Sequence, residues 1–204
     1  MRSKESVCRS SLGVNAWHEV MPSVSAVRPP KCRSCGAASQ PLGRNIVVHG
    51  DGTRERHVWG PSTPDGAPEL TSIRARRYEC QQCGACMVVV PSDVLPGRLY
   101  SGPAIALALA LWAVLRMTAV AVRRRVSPFP IIGATAAAGW ISLRRWALDA
   151  HGRRMFATSR AAPKDFTARK HAERAAEALA VTTPAVWPLP RKKASQCLHV
   201  DRFH

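Results

Sequence analysis

Cys32-Arg33-Ser34-Cys35-Gly36 and Cys80-Gln81-Gln82-Cys83-Gly84 are two copies of one pattern, Cys-x-x-Cys-Gly, in a chain of 204 residues. Such a knuckle is a tight turn that aims two thiolates at one point. The glycine behind the second cysteine lets the backbone curl so that its amides face the sulfurs. Two knuckles supply four thiolates, the set a closed tetrahedral structural zinc site requires. Four protein ligands leave no open coordination position, so the expected Zn2+ is a scaffold rather than a catalyst. Cys86 lies just beyond the second knuckle and is an alternate to Cys83 as the fourth ligand. A redox pair is the competing reading of a single Cys-x-x-Cys, but it does not account for the repetition. The interval from Cys35 to Cys80 holds 44 residues, against roughly 15–20 in the usual paired arrangement. Something folded has to fill it.

The filling reads as β-structure. Arg44 to His49 is an apolar-rich strand, Gly50-Asp51-Gly52 a turn, and Thr53 to Trp59 an antiparallel return. Pro61 to Pro68 is loop by composition. Leu70 to Tyr78 alternates, with Ile73, Ala75 and Arg77 on one side and Arg74, Arg76 and Tyr78 on the other, and runs into Cys80. Met87-Val88-Val89-Val90 is a short strand stopped by Pro91. Residues 31–97 thus read as a zinc ribbon carrying a long β-hairpin insertion. Upstream, residues 1–30 lack sustained periodicity and end in Pro29-Pro30, so they are expected to be a flexible leader. Trp17 within it is either a docking residue or a loosely packed one.

Downstream of residue 98 the alternation gives way to Ala- and Leu-rich helix. Ser101-Gly102-Pro103 is a helix start, and Ala104 to Leu115 is apolar all round. Thr118 is placed to cap a second helix. Ser127-Pro128 opens a third helix reaching Asp149, with Trp140, Leu143 and Ala147 on one face and Trp146 beside them. Arg144 and Arg145 point away from that face, and Arg145 is spaced to pair with Asp149. Residues 98–155 form a helical domain of helix-turn-helix type. Residues 156–204 hold an Ala-rich helix over Asp165 to Val181, then a basic, disordered tail around Arg191-Lys192-Lys193. The fold class is α+β, a β zinc ribbon followed by a helical bundle, with flexible termini.

The chain carries 30 Lys+Arg against 13 Asp+Glu, a formal charge of +17 and a pI near 10.9. Such a field attracts polyanions, nucleic acid first among them. Arginine greatly outnumbers lysine, which suits bidentate contacts to phosphate and guanine. Arg123, Arg124 and Arg125 close the second helix and are candidates for backbone phosphates. Arg144 and Arg145 are candidates at the third helix. Residues 104–122 also admit a membrane-inserted reading, with Arg123-Arg124-Arg125 behind them. The clean apolar stretch ends at Leu115, however, and a buried Arg116 would cost about 2.5–3.5 kcal/mol on insertion scales. A core helix is the stronger expectation. Seven cysteines are an odd number, and the polar N-terminus has no apolar h-region. A reducing cytoplasm with metal ligation is therefore expected rather than a disulfide framework.

These motifs together resemble the N-terminal region of bacterial insertion-sequence transposases, and the small uncharacterised proteins that accompany such elements. The resemblance rests on the paired Cys-x-x-Cys knuckles, the Tyr100-Ser101 linker, the Val126-Ser127-Pro128 helix start and the Trp140-x-x-Leu143-Arg144-Arg145-Trp146 segment, over residues 31–150. It implies a ribbon and helix-turn-helix that recognise an element's end or an operator DNA. Arg125 stands where the family's turn usually has glycine, and Ser127 to Trp140 is longer than the usual motif. Residues after Ala150 offer no strand framework for a three-carboxylate catalytic domain, so no enzyme is expected. The expected function is a non-catalytic, cytoplasmic DNA-binding protein tied to a mobile element or to transcription control, with DNA and a transposase or regulatory protein as partners. The alternatives are a protein–protein adaptor that uses the ribbon, and a small membrane-associated protein with residues 104–122 inserted.

Overall fold

Strand formation begins well before the first cysteine knuckle. In the computed structural model, which describes residues 5–134, 139–152, 155, 163 and 165–182, Ser6–Arg9 is the first strand, β1. Val48–Pro61 (β2), Pro68–Cys80 (β3) and Cys86–Val90 (β4) follow. The four make one sheet in the order β1-β4-β3-β2. The pairs β2–β3 and β3–β4 are antiparallel, whereas β1 adds in parallel to β4, with Ser6 opposite Met87 and Arg9 opposite Val90. The helices among the described residues are α1 (Val14–Glu19), α2 (Gly102–Ala113), α3 (Ala119–Val126), α4 (Ile141–His151) and α5 (Ala168–Thr182). The chain is therefore mixed α+β. It divides into two compact units, residues 1–105 with 124–131, and residues 106–123 with 132–204. The basic tail expected around Arg191-Lys192-Lys193 lies outside the described residues.

The described part of residues 1–30 is not a flexible leader. It supplies β1 and α1, and it covers a face of the sheet. Trp17 is only 2% exposed, and its indole N–H donates to the carbonyl of Arg74 at 3.0 Å. Arg76 Nε donates to the Pro22 carbonyl at 2.9 Å, and the Tyr78 hydroxyl to the Val24 carbonyl at 2.7 Å. Arg76 and Tyr78 alternate with Ile73 and Ala75 along β3, and Ile73, Ala75 and Tyr78 are all buried. Towards Cys80 both faces of β3 are thus covered, one of them by the segment ahead of the first knuckle. The Asp93 carboxylate accepts the Val14 N–H at the start of α1 with both oxygens, at 2.9 and 3.1 Å. Its burial pushes the carboxyl pKa up. A four-residue strand and a six-residue helix are too short to show a period in sequence, and their order comes from these tertiary bonds.

The hairpin turn also lies elsewhere than expected. Gly50-Asp51-Gly52 does not reverse the chain. It forms a register shift inside β2, between Gly50 and Thr53, and the strand continues to Pro61. The reversal comes in the proline-rich residues between Pro61 and Pro68, and β3 then pairs back from Pro68 as far as Cys80 opposite Val48. The glycines serve a bulge. Gly50 sits opposite Tyr78, where a Cβ would fall 2.7 Å from a methyl of Val24. Gly52 takes a positive φ of 75°. One hairpin therefore consumes most of the interval between the knuckles, and its register places the start of β2 beside Cys80.

At the start of α2 the Ser101 hydroxyl accepts the Ala104 N–H at 3.2 Å, the expected cap. Trp59 packs edge-on against Tyr100 and Phe129, with ring centroids 5.2 and 4.6 Å apart. Residues 99–101 run alongside it, with Trp59 N–H donating to the Leu99 carbonyl and Ser101 N–H to the Trp59 carbonyl. The third helix does not begin at Ser127-Pro128. Residues 127–133 are not helical. Pro130 disfavours helix at Phe129, and the Ser127 hydroxyl instead accepts from the Tyr100 hydroxyl at 2.8 Å. The helix carrying the tryptophan–arginine segment starts at Ile141. Residues 127–133 thus follow α3 as irregular chain, where the sequence reading began the third helix.

In the second unit, Thr118 caps α3, accepting the Ala121 N–H at 3.2 Å. Leu143, Trp146, Ala147 and Ala150 form the buried face of α4, with Arg144 and Arg145 exposed. Trp140 stacks edge-on against Trp146 at 4.9 Å. α4 packs on α5, which buries Ala172, Ala175 and Ala176. Such small side chains let helix axes approach closely. Arg116, at φ 58°, turns the chain after α2 and approaches the buried Glu173 carboxylate at 3.9 Å. α2 is buried over most of its length, with Pro103 and Trp112 half-buried, and among the described residues no helix is long and apolar enough to cross a membrane.

Candidate metal centre

Each knuckle is built by the same backbone bonds. In the first, Cys32 N–H donates to the Ala37 carbonyl at 2.8 Å and Gly36 N–H to the Cys32 carbonyl at 3.0 Å. In the second, Cys80 N–H donates to Ala85 at 3.0 Å and Gly84 N–H to Cys80 at 2.8 Å. Gly36 and Gly84 take φ of 77° and 66°, the left-handed conformation that the pattern required. A Cβ at either glycine would meet no atom within 4 Å. The glycine is therefore needed for backbone conformation, not for space.

The turns bring Cys32, Cys35, Cys80 and Cys83 together, all four sulfurs within 4.8 Å of one another. Cys32 Sγ lies 3.7 Å from Cys83 Sγ, and Cys35 Sγ lies 3.8 Å from Cys80 Sγ. A metal–sulfur bond of ~2.3 Å, the zinc–thiolate value, gives a regular tetrahedron with edges of ~3.8 Å. The two cross-knuckle distances match that edge, so the donor set fits a tetrahedral thiophilic ion. Cys32 and Cys80 are buried while Cys35 and Cys83 are exposed, so each knuckle gives one inner and one outer ligand. Cys86 stands outside this group, with its sulfur 4.0 Å from the Arg77 guanidinium.

The electrostatics show what four converging thiols need. Burial opposes ionisation of Cys32, yet backbone N–H groups of Cys35 and Ser34 and the neighbouring sulfurs bring its thiol down to about 7. The Ala37 N–H favours the Cys35 thiolate, but desolvation and the three other sulfurs push that thiol up to about 11. Burial raises Cys80. One sulfur can take the charge only by denying it to the rest, since like charges this close cannot all ionise. A bound cation removes that conflict.

The knuckles are laced to the hairpin by bonds with no sequence signature. Val47 N–H donates to Ser39 at 2.9 Å, and Gln81 N–H to Val47 at 2.8 Å. Val48, fully buried, faces Cys80 across the ladder.

The candidate DNA contacts divide. Arg125 is occupied: its Nη2 donates to the Pro64 carbonyl at 3.2 Å and meets the Asp65 carboxylate at 3.4 Å, so it ties down the hairpin loop. Arg123 is half-buried, Arg124 is exposed, and Arg144 and Arg145 lie on the solvent face of α4. Sequence reasoning missed the basic residues around the first knuckle, Arg9, Arg28, Lys31 and Arg33, which line a common cavity. Lys31 and Arg33 flanking Cys32 were the available signal. No protein-family model, curated protein or solved structure matches the chain.

Proposed function

We propose that this is a non-catalytic DNA-binding protein whose first unit is a zinc ribbon held by Cys32, Cys35, Cys80 and Cys83. The observation that carries the reading is the four-sulfur cluster, whose two cross-knuckle distances of 3.7 and 3.8 Å match the edge of a zinc tetrahedron, set in a chain of formal charge +17. All four positions around the ion are filled by protein, so zinc acts as a strut and supplies no reactive water. Among the arginines, Arg124, Arg144 and Arg145 are free to meet phosphates, while Arg125 serves the fold. The DNA role rests on the basic charge and on the resemblance of the sequence motifs to mobile-element proteins.

The test is metal analysis of the purified protein beside Cys32→Ser and Cys80→Ser, followed by DNA binding across a salt series. One equivalent of zinc is expected in the wild type and little in either variant. DNA affinity is expected to fall steeply and linearly in log–log form as salt rises, with a shallower slope in an Arg144→Ala/Arg145→Ala variant. Wild-type protein with under half an equivalent of zinc removes the strut. Affinity that is flat with salt removes the DNA reading.

A further inference from the structure

A cavity of about 830 Å³ opens beside the first knuckle, within the range of small-molecule sites, roughly 300–1,000 Å³. Its floor is apolar. Cys8 of β1 and Val89 of β4 are paired across the ladder and both buried, as is Val27. Its rim is basic: Arg9, Arg28, Lys31 and Arg33 line it, Ser10, Ser11 and Ser34 add hydroxyls, and among the described residues no aspartate or glutamate takes part.

Arg28 is the informative member. Its Nε is buried with no hydrogen-bond partner, and its Nη1 reaches Gln40 only at 3.5 Å. A buried donor left unmade is costly, the more so on a charged group. Arg28 lines the cavity with its terminal N–H groups held only by that long contact, and an anion in the cavity would give them a partner. The lining also limits the ligand's chemistry. Four cations around one opening outmatch a single carboxylate and suit a phosphate, whose oxygens take guanidinium donors in pairs. Among the described residues no aromatic side chain lines the cavity, so they offer a stacked nucleobase no platform there.

We propose that this cavity binds a terminal phosphate or pyrophosphate group of an organic ligand, with the anion among Arg28 and the rim cations and an aliphatic portion on the floor of Cys8, Val27 and Val89. The group can come from a free phosphate ester or from the phosphorylated end of a nucleic acid. The site is separate from the Arg144 and Arg145 contacts invoked for DNA, so the two readings fail independently.

The experiment is calorimetric titration of the zinc-loaded full-length protein with inorganic pyrophosphate, in the absence of DNA. Saturable binding with Kd below about 1 mM is expected. Arg28→Gln is expected to weaken it about tenfold or more, the equivalent of one charge-assisted bond. Because Arg28 is partly buried and its replacement could disturb folding, the exposed pair Arg9→Ala/Arg33→Ala provides a second variant, also expected to lose several-fold. Arg144→Ala/Arg145→Ala should leave pyrophosphate binding unchanged while DNA binding falls. Competition by glycerol phosphate identifies a free ester as the source, and competition by a 5′-phosphorylated but not an unphosphorylated oligonucleotide identifies a nucleic-acid end; either supports the site. Absence of saturable binding overturns the proposal. So does equal loss in the Arg144/Arg145 variant, or heat accompanied by release of zinc.

Discussion

Around Cys32 and around Cys80 the backbone makes the same two hydrogen bonds and closes on a glycine of the same conformation, yet the chain that carries each turn is anchored differently. The second knuckle is the direct continuation of β3 and leads within a few residues into β4, and those strands pair with each other over Arg76 to Glu79. It is a sheet connection that happens to carry two thiols. The first knuckle has a single isolated bridge, Lys31 to Ala38. Beyond it lie the bonds that Ser39 makes to Pro30, Val47 and Val48. Identical local geometry therefore rests on cooperative pairing in one case and, in the other, on a few loop bonds to which the proposed ion would add. The proposed metal should matter unequally: it would tie the first knuckle to a framework that the second already belongs to.

The largest expected effect breaks this comparison open. Removing the ion with a strong chelator should release the first knuckle and leave the sheet largely intact. Structural zinc sites contribute of the order of 10 kcal/mol in isolated peptides, more than the loop bonds of residues 31–47 can replace. The sheet keeps its own core of Trp17, Tyr78, Met87 and Val90. Hydrogen exchange should show the Cys32, Gly36 and Val47 amides losing protection on chelation, with those of β3 and β4 retaining most of theirs. Equal loss in both would mean that the second knuckle also depends on the ion.

Trp17→Ala approaches from the other side, since Trp17 holds α1 against the strand that ends at Cys80. The cost should be about 3–5 kcal/mol, typical of deleting a buried tryptophan. It should be nearly the same in the metal-loaded and chelated protein. Denaturant melts of both forms check this. A loss confined to the metal-loaded form would place Trp17 in the first knuckle's support instead.

Gly36→Ala and Gly84→Ala test the local equivalence directly. Neither Cβ meets an atom, so each substitution reports only the left-handed backbone, about 1–2 kcal/mol. Equal destabilisation of the metal-loaded protein is expected. On chelation the Gly84 cost should persist, because the sheet still imposes the turn. The Gly36 cost should shrink, because the released loop can relax.

The same contrast explains what was legible in the sequence. The four clustered cysteines were readable because metal ligation would dictate residue type, spacing and a glycine all at once, and Cys86 falls outside the cluster as the unrepeated member. Caps at Ser101 and Thr118 and the buried face of α4 were readable because they are local. The Gly50-Asp51-Gly52 stretch was misread because a glycine pair serves a turn or a bulge equally well, and Val24, far away in sequence, decides between them. Ser127-Pro128 carries a helix-start signature that Pro130 and the Tyr100 hydroxyl overrule. The order of residues 6–27 is almost wholly tertiary. Three of its hydrogen bonds reach β3 across more than 50 residues, and nothing within the segment announces them.

The smallest effect sharpens the account of the first knuckle. Ser39 is buried, and its hydroxyl has no hydrogen-bond partner. Its backbone carries the lacing instead, donating to Pro30 and accepting from Val47 and Val48. If that division is right, Ser39→Ala keeps every lacing bond and removes only an unsatisfied polar group. Stability should then stay level or rise, by up to about 1 kcal/mol, since relieving a buried orphan hydroxyl is at worst neutral when the shape is retained. Ser39→Pro removes the one N–H that donates to Pro30, and should loosen the turn in the chelated protein more than in the metal-loaded one. A destabilising Ser39→Ala would show that the hydroxyl works in the knuckle, and that the loop bonds holding Cys32 and Cys35 extend beyond the backbone.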